Sequence, residues 1–170
     1  MPPFIIGRVL APRGLKGELR VQLFRDDPSY FSAQKLILRR PGEAEVERRI
    51  QKVRAEGNKA YVLSVEGIGD RNEAERWPKA ELWVAPAWFG AEGPLELLVG
   101  ARVEDAESGA ALGKVVGLDH NGAQDLVEID RGEGRSALIP FVPAFVAGID
   151  LSPEGERCLR LRLIEGLLEE

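Results

Sequence analysis

A glycine-rich, cationic stretch near the start of the chain is the clearest place where residue types and spacing could bind an anion. The segment APRGLKGELRV, residues 11–21, sets two glycines around two cations: Gly14, Gly17, Arg13 and Lys16. Glycine turns expose backbone N–H groups that bind anions, and arginine adds a fork-shaped donor. The spacing is not that of a Walker loop, since neither GKS nor GKT follows. The segment predicts either a phosphate contact or an ordinary tight connection between strands.

A second set of cations flanks the turn PGEAE on what the pattern predicts to be neighbouring strands. It comprises Arg39, Arg40, Arg48, Arg49, Lys52 and Arg54. A basic stripe of this kind suits contact with RNA phosphates, although interleaved glutamates dilute it and a solvated barrel face is the alternative. From both basic segments we take as candidate RNA-binding residues Arg13, Lys16, Arg20, Arg48 and Arg49.

The only histidine, His120, lies in LDHNGAQD between Asp119 and Asp125. A hairpin explains this segment better than a metal or acid/base site, because Asn121-Gly122 is a strong signal for a two-residue turn in which both positions have positive φ. The alternating acids of an EF-hand loop are absent. We therefore predict a structural role for Asn121 and Gly122.

Catalytic and metal-binding signatures are missing from the sequence. It contains no GxSxG, HExxH, Rossmann glycine pattern or CxxC, which are the spacings that enzymes and zinc sites use. Cys158 is the only cysteine, so an internal disulfide cannot form and soft metal ligands are too few for zinc. We expect no enzyme activity, no catalytic residue, no cofactor and no metal.

The apolar stretch LIPFVPAFV could anchor a partner protein. Its aromatic members are Phe141 and Phe145, with Val146 beside them. The core of a small barrel is the alternative use of such residues.

Short alternating runs indicate the elements that must position these residues. In ELRVQLF, Leu19, Val21 and Leu23 alternate with polar side chains, which is typical of a half-buried strand. FIIGRVL, KLILRR, VERRIQKV, KAYVLSV and AELWV are similar, and six short strands suit a small barrel. One helix is predicted in DRNEAERW, because Asp70 precedes Glu73 by three positions as in a capping box, and Pro78 limits its length.

The back half contains a second series of strand-like runs, including DLVEIDR, SALIPFV and RCLRLRLI. Between the halves, residues 85–94 (APAWFGAEGP) hold two prolines and two glycines without alternation, which favours a linker. We predict an all-β protein of two small β-barrels, over residues 1–84 and 95–170, joined by the linker 85–94.

Charge separates the two halves. Residues 1–94 carry 16 basic and 13 acidic side chains, and residues 95–170 carry 7 and 15, which gives +3 and −8. The difference suggests two kinds of partner. No apolar run approaches the roughly 18–20 residues that cross a bilayer, and the start lacks a secretory signal. We expect a cytoplasmic protein that has no membrane partner and acts as a monomer.

Five segments in order resemble the ribosome maturation factor RimM family. They are GRVLAPRGLKGELRV, DRNEAERW before LWV, LGKVVGLDHNGAQDLVEI, LIPFV with a following ID, and a terminal EGLL. The resemblance covers about residues 4–168. It implies an N-terminal six-stranded barrel related to those of translation factors and a C-terminal PRC-barrel.

The same resemblance implies a function and a set of residues. The implied function is to bind immature 30S particles, associate with ribosomal protein S-nineteen of the 30S head, and promote folding of the head domain of 16S rRNA. Most matched positions look structural; they are Gly7, Gly14, Gly17, Glu18, Ala74, Glu75, Gly113, Asp125, Pro140, Gly166 and Leu167.

Two departures from the family bear on the site. After Trp77 the family usually has a basic residue and glycine, where this chain has Pro78 and Lys79. The family also carries aromatics entering the second barrel that are associated with ribosome binding, whereas this chain has GPLELLVG. Our candidate partner-binding residues are therefore Trp88, Phe89, Leu95, Leu98, Phe141 and Phe145.

A general RNA-binding barrel protein without a ribosomal role is the alternative function, and a small hydrolase ranks last.

Overall fold

The computed structural model describes residues 1–163. The chain divides into two compact units, the first from Met1 to Phe89 and the second beginning at Gly90. Strands dominate both units, so the predicted all-β class is confirmed. Within residues 1–163, no helix is both long and apolar enough to cross a membrane.

The first unit is a closed six-stranded antiparallel barrel. Its strands are β1 (Phe4–Arg13), β2 (Glu18–Leu23), β3 (Lys35–Arg39), β4 (Val46–Gly57), β5 (Ala60–Val65) and β6 (Glu81–Val84). They follow the spatial order β1-β2-β5-β4-β3-β6, and β6 closes the barrel by pairing with β1. The predicted alternation is confirmed, because Leu19, Val21 and Leu23 all point into a core where each is at most 1% exposed.

A single α-helical turn, α1 (Arg71–Ala74), follows the fifth strand. Its N-cap is Asp70, whose carboxylate accepts a hydrogen bond from the Glu73 backbone N–H at 2.8 Å, as the capping pattern predicts. Lys79 then adopts a φ of 69°, although it is not glycine. Its N–H donates to the Val9 carbonyl at 2.9 Å. The turn thus has the left-handed conformation that suits glycine. The family usually has glycine at this position, and this chain has Lys79.

The second unit is a six-stranded sheet. Its strands are β7 (Arg102–Asp105), β8 (Ala111–His120), β9 (Asp125–Gly132), β10 (Arg135–Pro140), β11 (Val146–Leu151) and β12 (Arg157–Leu161). They follow the order β10-β9-β8-β7-β12-β11, with β12 and β7 parallel and the other neighbours antiparallel. Strands β10 and β11 are therefore the edges of the sheet as the structure describes it.

The segment GPLELLVG forms part of the core of the second unit. A 3-10 turn over Leu95–Leu98 packs against β8 and β12. Side chains three positions apart lie on one side of such a turn. Leu95 and Leu98 therefore enter the core cluster together, at 6% and 2% exposure. The structure thus places these two candidate partner-binding side chains in the core of their own domain, and their role in partner binding stays a prediction.

The β8–β9 hairpin forms where Asn121-Gly122 predicts it, but with a different turn. His120 pairs with Asp125, which leaves a four-residue loop, residues 121–124, between the strands. Gly122 has a φ of 89°, whereas Asn121 is not among the described residues with a positive φ. The Asn121 side-chain oxygen instead accepts from the backbone N–H groups of Ala123 and Gln124 at 3.0 and 2.9 Å. The two-residue turn is thus corrected to an Asx-type loop.

Candidate nucleic-acid and partner interfaces

The loop between β1 and β2 presents a cation at its tip and uses one glycine for packing. Leu15 is 85% exposed, and Lys16 beside it is exposed as well. Gly14 has a φ of 72° with open space around it, whereas Gly17 has a φ of 81° and abuts the backbone of Asp70. Gly17 therefore fixes the loop to the N-terminus of α1. Lys16 stays available for an anion.

Arg13 and Arg20 are held by an acidic residue of the same barrel. Both guanidinium groups contact the Glu56 carboxylate, the second at 3.1 Å. Arg54 lies 3.7 Å from Glu18 nearby. This cluster contains three arginines and two glutamates, so its net charge is only +1. Ion pairing within the barrel weakens the case for Arg13 and Arg20 as RNA contacts.

Arg48 and Arg49 point to opposite faces of β4. Arg48 lies level with Leu36 of β3 and donates to the Glu47 carbonyl at 3.1 Å. A Cβ built on Gly67 would lie 3.3 Å from the Arg48 Nε. Arg49 is exposed on the outer face, directly opposite Lys35. Arg48 and Arg49 are therefore on different faces of the strand, although both are candidates for the same RNA contact.

Tryptophan rings flank several cations of the first unit, an arrangement that the charge pattern of the sequence does not predict. The Arg40 guanidinium carbon lies 4.4 Å from the centre of the Trp77 ring, and that of Arg39 lies 5.8 Å from the Trp83 ring. These are cation–π distances. The alternation in ELWV predicts the position of Trp83, since Leu82 and Val84 point inward and leave Trp83 on the outer face.

The aromatic pair at the end of the first unit divides between surface and interior. Trp88 is half-buried, and the Lys35 ammonium group lies 5.4 Å from its ring centre. Phe89 is only 8% exposed. Trp88 therefore remains the accessible member of this candidate pair.

An apolar pocket of about 310 Å³ lies in the second unit beside the edge strand β11. Its described lining comprises Glu92, Gly93, Phe141, Val142, Pro143, Val146, Ala147, Gly148 and Ile149. Phe141 and Phe145 also pack against the core and are half-buried. The candidate Phe141 thus combines core packing with an accessible surface, and ligand sites commonly have pockets of this size.

The remaining motif residues have structural positions. A Cβ on Gly7 would lie 2.2 Å from the Gln22 carbonyl oxygen, and one on Gly113 would lie 2.2 Å from that of Asp130. Pro140 ends the edge strand β10, where no ladder donor is needed. Gly166 lies outside the described residues.

His120 closes the β8–β9 hairpin through its side chain. Its Nδ1 lies 3.2 Å from the Asp125 carboxylate, and both side chains are partly exposed. The contact joins the two residues that end the paired part of the strands.

The displaced pKa values have local structural causes. Burial, followed by the hydrogen bond to Asp26, raises the pKa of Tyr61 to about 12. Burial raises the pKa of Cys158 and lowers that of Arg157, whose guanidinium donates to the Gly90 carbonyl at 2.8 Å. A hydrogen bond from Ser108 lowers the pKa of Asp105.

The two units carry opposite charge. The first has 16 basic and 12 acidic side chains, a balance of +4, and the second has 7 and 16, a balance of −9. A protein with two oppositely charged units has one unit suited to polyanions and another suited to basic partners.

Comparison with known proteins assigns both units. Residues 4–87 match the RimM N-terminal domain, and residues 95–161 match the RimM PRC barrel domain. The chain is therefore a two-domain protein that joins a RimM-type barrel to a PRC barrel. Since the two matches cover most of its length, the chain belongs to the ribosome maturation factor RimM family.

Two relatives and one solved structure are similar to this chain over most of its length. The chain is 35% identical to a ribosome maturation factor RimM of Nocardioides sp., with 87% of this chain and 85% of the relative covered. It is also 35% identical to one of Gloeobacter violaceus, with 96% and 92% covered. A RimM crystal structure from Pseudomonas aeruginosa has 24% identity and a TM-score of 0.48, and the alignment covers 95% of this chain and 98% of that one.

Proposed function

We propose that this protein binds immature 30S subunits and assists the folding and processing of the 16S rRNA head domain without catalysing a reaction. The match of both domains to one ribosome maturation family carries the proposal. We also propose that the protein acts in the cytoplasm as a monomer, without a cofactor and without a membrane partner.

Opposite charge divides the work between the domains. The first unit, at +4, faces the rRNA-rich surface, and the second, at −9, faces ribosomal protein S-nineteen of the 30S head, a basic protein. Complementary potentials speed association and orient the partners. Of the RNA-binding candidates, Lys16 and Arg49 remain the strongest, because both are exposed and neither pairs with an acid within residues 1–163, whereas Arg48 is half-buried.

The pocket beside β11 is the proposed contact for ribosomal protein S-nineteen. Phe141 supplies an apolar wall, and Glu92 adds negative charge to the lining. An apolar anchor surrounded by basic residues would fit this combination.

A pair of full-length variants tests the protein contact. Ala147 lines the pocket and is exposed, so Ala147→Arg should block it without disturbing the core. Val116 is 48% exposed on β8 and does not line it, so Val116→Arg adds the same side chain elsewhere. Calorimetric affinity for the isolated ribosomal protein should fall for Ala147→Arg only. Equal affinities for both variants would show that the pocket is not the contact.

Co-sedimentation tests the function as a whole. The wild-type protein should sediment with 30S precursors, and the bound fraction should fall as salt rises, since phosphate contacts release counterions. Depletion of the protein should leave precursor 16S rRNA in 30S particles. Normal maturation after depletion would contradict the proposal, and equal binding of unrelated structured RNA would favour the alternative of a general RNA-binding protein.

A further inference from the structure

The outer surface of the barrel over β4, β3, β6 and β1 combines unpaired cations with half-exposed tryptophans. We call this surface the aromatic–cation face, and it consists of Arg8, Lys35, Arg39, Arg49, Trp83 and Trp88. The neighbouring residues Leu36, Leu38 and Leu82 are fully buried. Because side chains alternate along a strand, the members from β3, β4 and β6 lie outside the barrel.

Two cations of this face stand directly opposite each other. Lys35 of β3 is the antiparallel partner of Arg49 of β4. Within residues 1–163 neither forms an ion pair with a carboxylate. Like charges at directly opposed positions are destabilising. The pair therefore marks a place where a bound anion would relieve repulsion.

The next row of the face holds Ile37 between Glu47 of β4 and Trp83 of β6. The row beyond it again has an excess of positive charge. Arg39 lies opposite Glu81, and Glu81 lies opposite Arg8 of β1. The Glu81 carboxylate accepts a hydrogen bond from the Trp83 indole N–H at 3.3 Å and makes no ion pair with either arginine. Two arginines thus flank one acid that is engaged with an indole.

Aromatic rings lie beside these cations. Arg39 lies over Trp83 and Lys35 over Trp88, at 5.8 and 5.4 Å from the ring centres. Arg8 lies 6.0 Å from the ring of Phe24, which is 51% exposed. Rings and guanidinium planes provide stacking surfaces for unpaired bases, and neighbouring cations hold the phosphates.

We propose that the aromatic–cation face binds an unpaired, single-stranded segment of RNA. Phosphates contact Lys35 and Arg49, and bases stack against Trp83 and Trp88. A duplex would satisfy the cations but not the rings, because its bases are already stacked. The inference rests on the proposed function, in which this domain faces rRNA.

The first experiment uses the full-length wild-type protein and three probes. These are a single-stranded RNA dodecamer, the same strand in a duplex, and a polyglutamate peptide. The dodecamer should bind more tightly than the duplex and quench tryptophan emission. Equal or tighter binding of the duplex without quenching, or binding of polyglutamate as tight as that of the dodecamer, would overturn the inference.

The second experiment removes two charges from either of two places on the same barrel. Lys35→Ala/Arg49→Ala should weaken dodecamer binding by about tenfold and reduce the salt slope of log K by ~1.4, the value for two phosphate contacts on a single strand. Lys59→Ala/Lys79→Ala is the matched control, because these two lysines of the same unit lie outside the face and form no ion pair within residues 1–163. It should leave the slope unchanged. Equal effects of the two variants would contradict the face as the site.

A third measurement separates this inference from the proposed function. Trp88→Leu keeps the charge and removes one ring, and it should reduce both dodecamer affinity and quenching. All variants are also sedimented with 30S precursors. If wild-type protein fails to bind those particles, the proposed function fails. If it binds them and Lys35→Ala/Arg49→Ala binds them equally well, only the aromatic–cation face is wrong.

Discussion

Gly17 and Asp70 lie in direct backbone contact. A Cβ built on Gly17 would come within 2.5 Å of the Asp70 carbonyl oxygen and 2.7 Å of its backbone nitrogen. Asp70 caps α1 through the Glu73 N–H, so the cationic loop and the helix meet where a side chain has no room. The contact gives a packing reason for a glycine that spacing alone assigned to either a phosphate site or a turn.

Substitution of Gly17 should destabilise the first unit strongly. Gly17→Ala combines a φ of 81° with the overlap on Asp70, and we expect a loss of about 2–4 kcal/mol in the free energy of unfolding. Gly14→Ala is the matched control, because its φ is 72° but nothing lies within 4 Å; it should lose about 1 kcal/mol. Urea unfolding monitored by tryptophan emission reports this unit, which contains Trp77, Trp83 and Trp88. Identical midpoints for the two variants would contradict the contact.

Cys158 should be slow to react in the folded protein. Its side chain is 6% exposed and burial raises the pKa of the thiol, so little reactive thiolate is present near neutral pH. Labelling with a chromogenic disulfide reagent should be much slower than that of a cysteine peptide and should accelerate with urea. Labelling at the peptide rate without denaturant would show that β12 is open in solution.

Tyr61 should make stability depend on pH in the alkaline range. Its hydroxyl donates to the Asp26 carboxylate at 2.6 Å, and its pKa rises from 10.0 to about 12. A group whose folded pKa is raised contributes stability below its unfolded pKa and loses it as pH rises through the folded value. Tyr61→Phe should therefore be less stable than wild type by about 1 kcal/mol at pH 7. That difference should narrow between pH 10 and 12, and a constant difference in urea titrations would refute the assignment.

Sequence alone predicts those parts of the fold where one local pattern decides burial. The alternation of Leu19, Val21 and Leu23 is such a case, since a strand with one buried face must alternate. The cap at Asp70 is another, because its hydrogen bond closes within the same helical turn. In both cases the partners are close in sequence.

The candidate site was harder to predict because its contacts connect distant segments. Arg13 and Glu56 are 43 positions apart, so their ion pair cannot be inferred from a basic loop considered by itself. The stacking of Arg39 on Trp83 depends on β3 pairing with β6, which are not consecutive strands. Whether a cation is paired or stacked is decided by sheet order, and composition does not reveal that order.

Leu98 provides a test of whether GPLELLVG serves the core or a partner. Leu98 is 2% exposed in the core of the second unit, whereas the adjacent Val99 is 41% exposed. Truncation of a buried leucine to alanine usually destabilises a domain by about 2–5 kcal/mol. Because Cys158 belongs to the same unit, Leu98→Ala should raise its labelling rate at least ~30-fold, as a tenfold change corresponds to 1.4 kcal/mol. Val99→Ala should leave that rate near wild type, and neither variant should shift the tryptophan transition of the first unit. A Leu98→Ala protein with wild-type labelling but weaker binding to ribosomal protein S-nineteen would instead return this leucine to the partner interface.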